Sequence, residues 1–143
     1  MNDPAAPHIY TVPERMEKAV RRIRRAFHEA KLCVMAEFDS AQWFGTPKDR
    51  ERSKILLVDC PLLAFEAQAL DQRAGVFFPL HLLIRSDGER THISAVSASE
   101  LYDRLPPGVA APMRKLEERV ATALDAVVSW ARSDHRDDRG EKH

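Results

Sequence analysis

The chain has 143 residues, and its 22 Lys and Arg balance 22 Asp and Glu, so the formal net charge is 22 − 22 = 0. A length of this order fits one domain that buries roughly 68 to 70% of the surface its unfolded chain exposes, without a metal or disulfide staple. The charge balance argues against a nucleic-acid binding domain, which carries a marked basic excess. Cys33 and Cys60 are too few for a disulfide framework and lack zinc-site spacing, so both are read as reduced thiols. The opening MNDPAAPHIYTVPER lacks the basic-then-apolar pattern of a secretory signal, and no stretch approaches about 18 uninterrupted apolar residues. The expectation is a cytoplasmic protein with no membrane association and no cofactor.

Residues 1–7 are polar and Pro-rich and are read as a flexible N-terminus. His8 to Val12 is β-branched and aromatic, as a short strand requires, and Pro13 suits the first turn of a helix. From Glu14 to Lys31, apolar residues recur at Met16, Ala19, Val20, Ile23, Phe27 and Ala30, a helical stripe. Leu32 to Asp39 alternates, placing Leu32, Val34, Ala36 and Phe38 on one face of a strand. Ser40 to Ser53 mixes Trp43 and Phe44 with Gly45, Pro47 and charges, and reads as a loop with anchored aromatics.

Lys54 to Cys60 is the next strand. Pro61 then opens a helix with Leu63, Ala67, Leu70 and Ala74 on one stripe, ended by Gly75. Val76 to Arg85 and Arg90 to Ala98 flank Asp87-Gly88, a strong hairpin signal. A two-residue turn there sets Arg85 opposite Arg90, Leu83 opposite His92 and His81 opposite Ser94. That register puts Leu80, Leu82, Ile84, Ile93 and Ala95 on a core face, and His81, Leu83, Arg85, Arg90, His92, Ser94 and Val96 on the other. Ser99 to Leu105 reads as a short capped helix, and Pro112 opens a last helix with the stripe Met113, Leu116, Val120, Ala123, Leu124, Val127 and Trp130. Residues 133–143 contain no apolar side chain and are read as a disordered charged tail.

The predicted order β-α-β-β-α-β-β-α, with connections mostly too short for parallel pairing, gives a single α+β domain over residues 8–132. Its architecture is a two-layer sandwich with a mostly antiparallel sheet of about five strands and helices on one face. The other sheet face would expose Leu83, Val96, Ile55 and Leu57, a surface often covered by a second subunit.

The segment CPLLAFEAQALDQRAGVFFPLHLLI, followed by an Asp-Gly turn and a β-rich return strand, resembles the bacterial and archaeal family known as domain of unknown function 302. The resemblance spans about Val20 to Val128 and includes Glu37-Phe38-Asp39, Asp59-Cys60 before Pro61, Leu63-Ala64, and Gly75 followed by an apolar trio and Pro79. It implies a small α+β fold with an antiparallel sheet, often dimeric, and no assigned activity. Relatives commonly carry Cys-Asn-Pro at the strand end and a second Cys after the later Pro. Here Asp59-Cys60-Pro61 and Leu80 stand at those places, so the resemblance implies that no cysteine-pair chemistry carries over.

The candidate site residues are Asp59, Cys60, His81, His92 and Ser94. In the register above His81 and His92 are diagonal neighbours roughly 7 to 8 Å apart. Thiolate and imidazole would suit a zinc or copper ion, or an activated Cys-His nucleophile. Adjacent strand residues point to opposite faces, however, and a free Cys is most often a small buried hydrophobe, so a structural role is preferred. The run Arg21 to Arg25 could clamp a phosphate, but its spacing around Ile23 and near Glu17 and Glu29 favours a solvated helix face. There is no phosphate-binding glycine loop, nucleophile elbow or His-Glu-x-x-His motif. The sequence thus predicts a homodimeric ligand- or partner-binding domain without catalytic activity, self-associating through a sheet face. The alternative is a small metal- or thiol-dependent catalyst or metal-binding protein that uses Cys60 with His81 or His92.

Overall fold

In the computed structural model the described residues are 8–44, 52–95, 104–105 and 108–140, apart from the side chains of 43, 44, 76, 77 and 138–140. The elements are β1 (His8–Val12), α1 (Met16–Glu29), β2 (Cys33–Asp39), α2 (Ser40–Phe44), β3 (Arg52–Asp59), α3 (Pro61–Leu70), a 3₁₀ turn (Gln72–Phe77), β4 (Leu80–Ser86), β5 (Thr91–Ala95) and α4 (Ala110–Gly140). The strands form one antiparallel sheet in the order β1-β5-β4-β3-β2. This is the expected α+β architecture of five strands with helices. No helix among the described residues is long and apolar enough to cross a membrane.

Period decides the core. Met16, Ala19, Val20, Ile23 and Phe27 of α1 are buried, as are Met113, Leu116, Val120, Ala123, Leu124 and Val127 of α4. They share one core with Leu56 and Val58 of β3, Leu80, Leu82 and Ile84 of β4, and Ile93 of β5. The core face expected of the hairpin is therefore the face under the helices.

Local chemistry shifts several boundaries. Pro13 precedes the helix, which begins at Met16. The helix opened by Pro61 stops at Leu70, because the Asp71 side chain accepts the Arg73 N–H at 2.9 Å and caps a new 3₁₀ turn that contains Gly75. Leu70 is consequently exposed rather than on the core stripe. A short helix, α2, occupies the start of the segment read as a loop; the Asp39 carboxylate accepts the Ala41 N–H there at 2.9 Å. Residues 133–140, expected as part of a disordered tail, continue α4, and an ion pair from Arg22 to Asp134 fastens them to α1. Val96 and the segment 99–103 lie outside the described residues, as do the side chains of Trp43 and Phe44.

In β2 the register slips between Val34 and Ala36, leaving Met35 as a bulge residue. Val34 pairs with Val58 on the core face, but beyond the bulge Ala36 pairs with Leu57 and Phe38 with Ile55 on the opposite face. The expected single face for Leu32, Val34, Ala36 and Phe38 is thus corrected: Phe38 is 45% exposed. Glu37 and Asp39 turn toward α1 instead. There, charges alternate along the seam: Arg24 to Glu37 at 2.7 Å, Glu37 to Lys54 at 3.1 Å, Lys54 to Asp39 at 3.8 Å, Asp39 to Arg52 at 3.2 Å, and Arg52 to Glu17 at 2.6 Å.

This ladder sets an acid limit on stability. Its own backbone N–H, then Arg52 and Lys54, hold the Glu17 carboxyl below its ordinary value. Partial burial pushes Glu37 and Asp39 up, but Lys54 and Arg24 outweigh it at Glu37, and the Ala41 N–H with Arg52 and Lys54 outweighs it at Asp39. Depressed folded values mean that the unfolded chain binds more protons as pH falls through the ordinary carboxylate range of about 4. The stability from these three groups is whole above that range and is lost as pH falls toward the depressed values. Asp59 has the opposite sign, because burial raises its carboxyl against the pull of the Cys60 N–H, so its contribution is present at low pH and fades as pH rises through its raised value. Asp71 beside Arg73, Asp87 on the Arg90 N–H and Asp134 on Arg22 are depressed as well, so the lowered carboxyls outweigh Asp59 and the urea midpoint is expected to fall between about pH 6 and pH 3; a midpoint flat across that range would contradict the ladder's role.

Candidate functional site

The hairpin fixes the geometry of the open face. Its loop is four residues, Asp87 to Arg90, because side chains displace the two-residue turn: Asp87 Oδ1 accepts the Arg90 N–H at 2.9 Å, and Ser86 Oγ donates to the Arg90 carbonyl at 3.1 Å. Gly88 supplies the positive φ of 108° that this path needs. The register moves by two residues, so Ser94 lies opposite Leu83 and His92 opposite Arg85. A two-residue shift keeps every side chain on its expected face.

It does, however, separate the histidines. His81 and the partner of His92, Arg85, are four residues apart on β4, about 13 Å along the strand. The expected diagonal His81–His92 pair is therefore not formed. His92 instead places Nδ1 3.0 Å from Thr11 Oγ1 of β1, and His81 is exposed opposite Leu57. Ser94 is buried between Leu83 and Ile9.

Asp59 and Cys60 diverge as strand alternation requires. Asp59 pairs with the exposed Cys33 on the open face. Cys60 is buried on the helix side, at the N-cap of α3, and receives a hydrogen bond from Arg119 Nη1 at 3.3 Å. The site proposed from the sequence thus divides among three places. Among the described residues the side chain that hydrogen-bonds Cys60 is thus a guanidinium, which cannot act as a general base at neutral pH, rather than the imidazole that a Cys-His nucleophile needs. Among the described residues no three His, Cys, Asp or Glu side chains converge to hold a metal ion.

What the sheet does bring together is a transverse row. Ile9, Ser94, Leu83, Ile55 and Phe38 lie side by side across all five strands on the face away from the helices. At about 4.8 Å per strand the row is roughly 19 Å long. Leu57 and Ala36 widen it on one side with His81, while Thr11, His92, Arg85 and Ser53 form a polar row on the other. Ile9 is 51% exposed and Ile55 37%. Sequence reasoning found the β3, β4 and β5 members. It missed Phe38, hidden by the bulge, and Ile9, whose face is legible only from the alternation of buried Tyr10 and Val12 in β1.

The arginine run is largely occupied within the molecule. Arg22 pairs with Glu14 and Asp134, and Arg24 with Glu37. Arg25 pairs with Glu29 and lies 4.8 Å from the centroid of the Trp130 ring.

Residues 8–127 match the family described as "Domain of unknown function DUF302". The chain belongs to the DUF302 family. A similar solved structure is the crystal structure of an uncharacterized conserved DUF302 protein from Bacillus stearothermophilus, 20% identical, with a TM-score of 0.71 over 83% of this chain and 95% of that one. At that identity the likeness concerns the fold. No curated protein matches the sequence. The transverse apolar row of this DUF302 domain is thus described on its own chemistry.

Proposed function

We propose that the domain is a homodimeric ligand- or partner-binding protein without catalytic activity, which self-associates through the open sheet face. The observation that carries this reading is the apolar row Ile9, Leu83, Ile55 and Phe38, on the sheet face turned away from the helices. An apolar surface of this kind gains free energy when it leaves water, and a self-complementary patch meets its own copy across a two-fold axis. The polar row beside it would form the rim. Two cysteines without a disulfide, one exposed and one buried, accord with a cytoplasmic setting.

Light scattering of the full chain at high protein concentration tests the reading. A dimer is expected, and Leu83→Lys should weaken it by at least roughly 30-fold, because each protomer would bury an unpaired ammonium near its symmetry mate. A monomeric wild-type chain, or a dimer indifferent to Leu83→Lys and Ile55→Lys, would refute association through this face.

A further inference from the structure

A cleft of about 630 Å³ opens where the end of β1, the β4–β5 loop and α4 meet, lined by Thr11, Pro13, Glu89, Arg90, Arg132 and His135. Three nitrogen-bearing side chains from two elements converge there with a hydroxyl from a third. None of Arg90, Arg132 and His135 forms an ion pair among the described residues, in contrast to Arg22, Arg24, Arg25 and Arg52. Two guanidiniums and an imidazole line the cleft beside one carboxylate, Glu89, and Arg90 also acts through space on Asp87 next to it.

The support for these groups is rigid. The Arg90 backbone is fixed by Asp87 Oδ1 and Ser86 Oγ. The turn of α4 that carries Arg132 and His135 is fastened through Asp134 to Arg22. Thr11 Oγ1 is held by His92 Nδ1. Such positioning lowers the ordering cost of binding.

We propose that this cleft binds a small molecule through a phosphate group. Arginine and imidazole donors that approach from two elements suit a tetrahedral oxyanion with several free oxygens, whereas a flat carboxylate is satisfied by one bidentate arginine. The volume lies within the range of small-molecule sites, about 300 to 1,000 Å³. The Glu89 carboxylate in the lining and Asp87 beside Arg90 would repel an extended polyanion, which favours a compact phosphate ester over nucleic acid. Glu89 is also placed to accept a hydrogen bond from a ligand hydroxyl or amine. Thr11 belongs to both the cleft and the polar row of the open face, but the cleft is built within one protomer, so a monomeric protein would leave this assignment intact.

Amide NMR of the full chain, titrated with inorganic phosphate and with sodium chloride at matched ionic strength, tests it. Saturable shifts confined to Thr11, Arg90, Arg132 and His135 are expected with phosphate and not with chloride. Glycerol phosphate should bind at least as well as inorganic phosphate. Arg132→Gln should weaken phosphate binding about tenfold while the thermal midpoint stays unchanged, and Arg90→Gln should add a comparable loss. The assignment is overturned by non-saturable shifts, by equal response to chloride, by acetate binding as tightly as phosphate, or by Arg132→Gln leaving the affinity unchanged.

Discussion

Truncation of Phe27 to alanine is expected to destabilise the fold by about 4 kcal/mol. Among the described residues Phe27 is the largest side chain that is fully buried, 1% exposed, and it belongs to the core shared by α1, α4 and the sheet. Its removal forfeits both the transfer of the ring from water and the contacts of the atoms that lined it, since a close-packed interior only partly collapses into the void. Native stabilities of about 5 to 15 kcal/mol leave little reserve after such a loss. The measurement is urea unfolding at neutral pH, with Phe27→Leu as a partner variant that keeps most of the volume and should cost under half as much. Equal losses for the two variants, or a loss under 1 kcal/mol for alanine, would show that the ring is not the centre of the core.

Arg22→Met is expected to cost about 3 kcal/mol through a different cause. Arg22 Nε lies 2.7 and 2.9 Å from the two Glu14 oxygens, and the Glu14 side chain is only 5% exposed. The Glu14 hydrogen bond, ahead of the opposing partial burial and with Asp134 adding to it, raises the Arg22 guanidinium above its ordinary value. Methionine retains the apolar stem but leaves a buried carboxylate with, among the described residues, only Lys18 at 3.5 Å. The Glu14 backbone stays tied, because its carbonyl accepts the buried Thr91 hydroxyl at 2.7 Å, so the carboxylate cannot swing out freely. A double-mutant cycle separates charge from packing: Glu14→Gln in the Arg22→Met background should recover part of the loss. If it recovers nothing, the damage lies in the lost stem contacts or in the released end of α4.

The parts of this fold that depend on repetition were legible in the sequence. The stripes of α1 and α4 each repeat over several turns, so a single misread position does not change which side faces inward. The two faces of the hairpin were also legible, since alternation survives any even error in register. What was not legible depends on one side chain competing with the backbone, or on a distant partner. Asp71 ends α3 early and Ser86 with Asp87 lengthens the hairpin loop, each through a local hydrogen bond that competes with the regular pattern. Asp134 holds the last turns of α4 from across the molecule, a contact that composition cannot reveal. The candidate site suffered most because it rested on register. Moving His92 from Leu83 to Arg85 dissolved the histidine pair, while Leu83, Ile55 and Leu57 kept their face because only alternation was needed to place them.

Met35 gives β2 two phases. On one side of it the strand contributes Val34 to the core, and on the other it sends Phe38 outward and Glu37 and Asp39 toward α1. Were Met35 to take a regular place in the ladder opposite Leu57, Phe38 would fall opposite Lys54 under the helices and both carboxylates would turn to the open face, dismantling the ion-pair ladder and shortening the apolar row in a single step. Stability in acid and the surface offered for association are therefore tied to the same condition, that one residue of β2 stays out of the ladder.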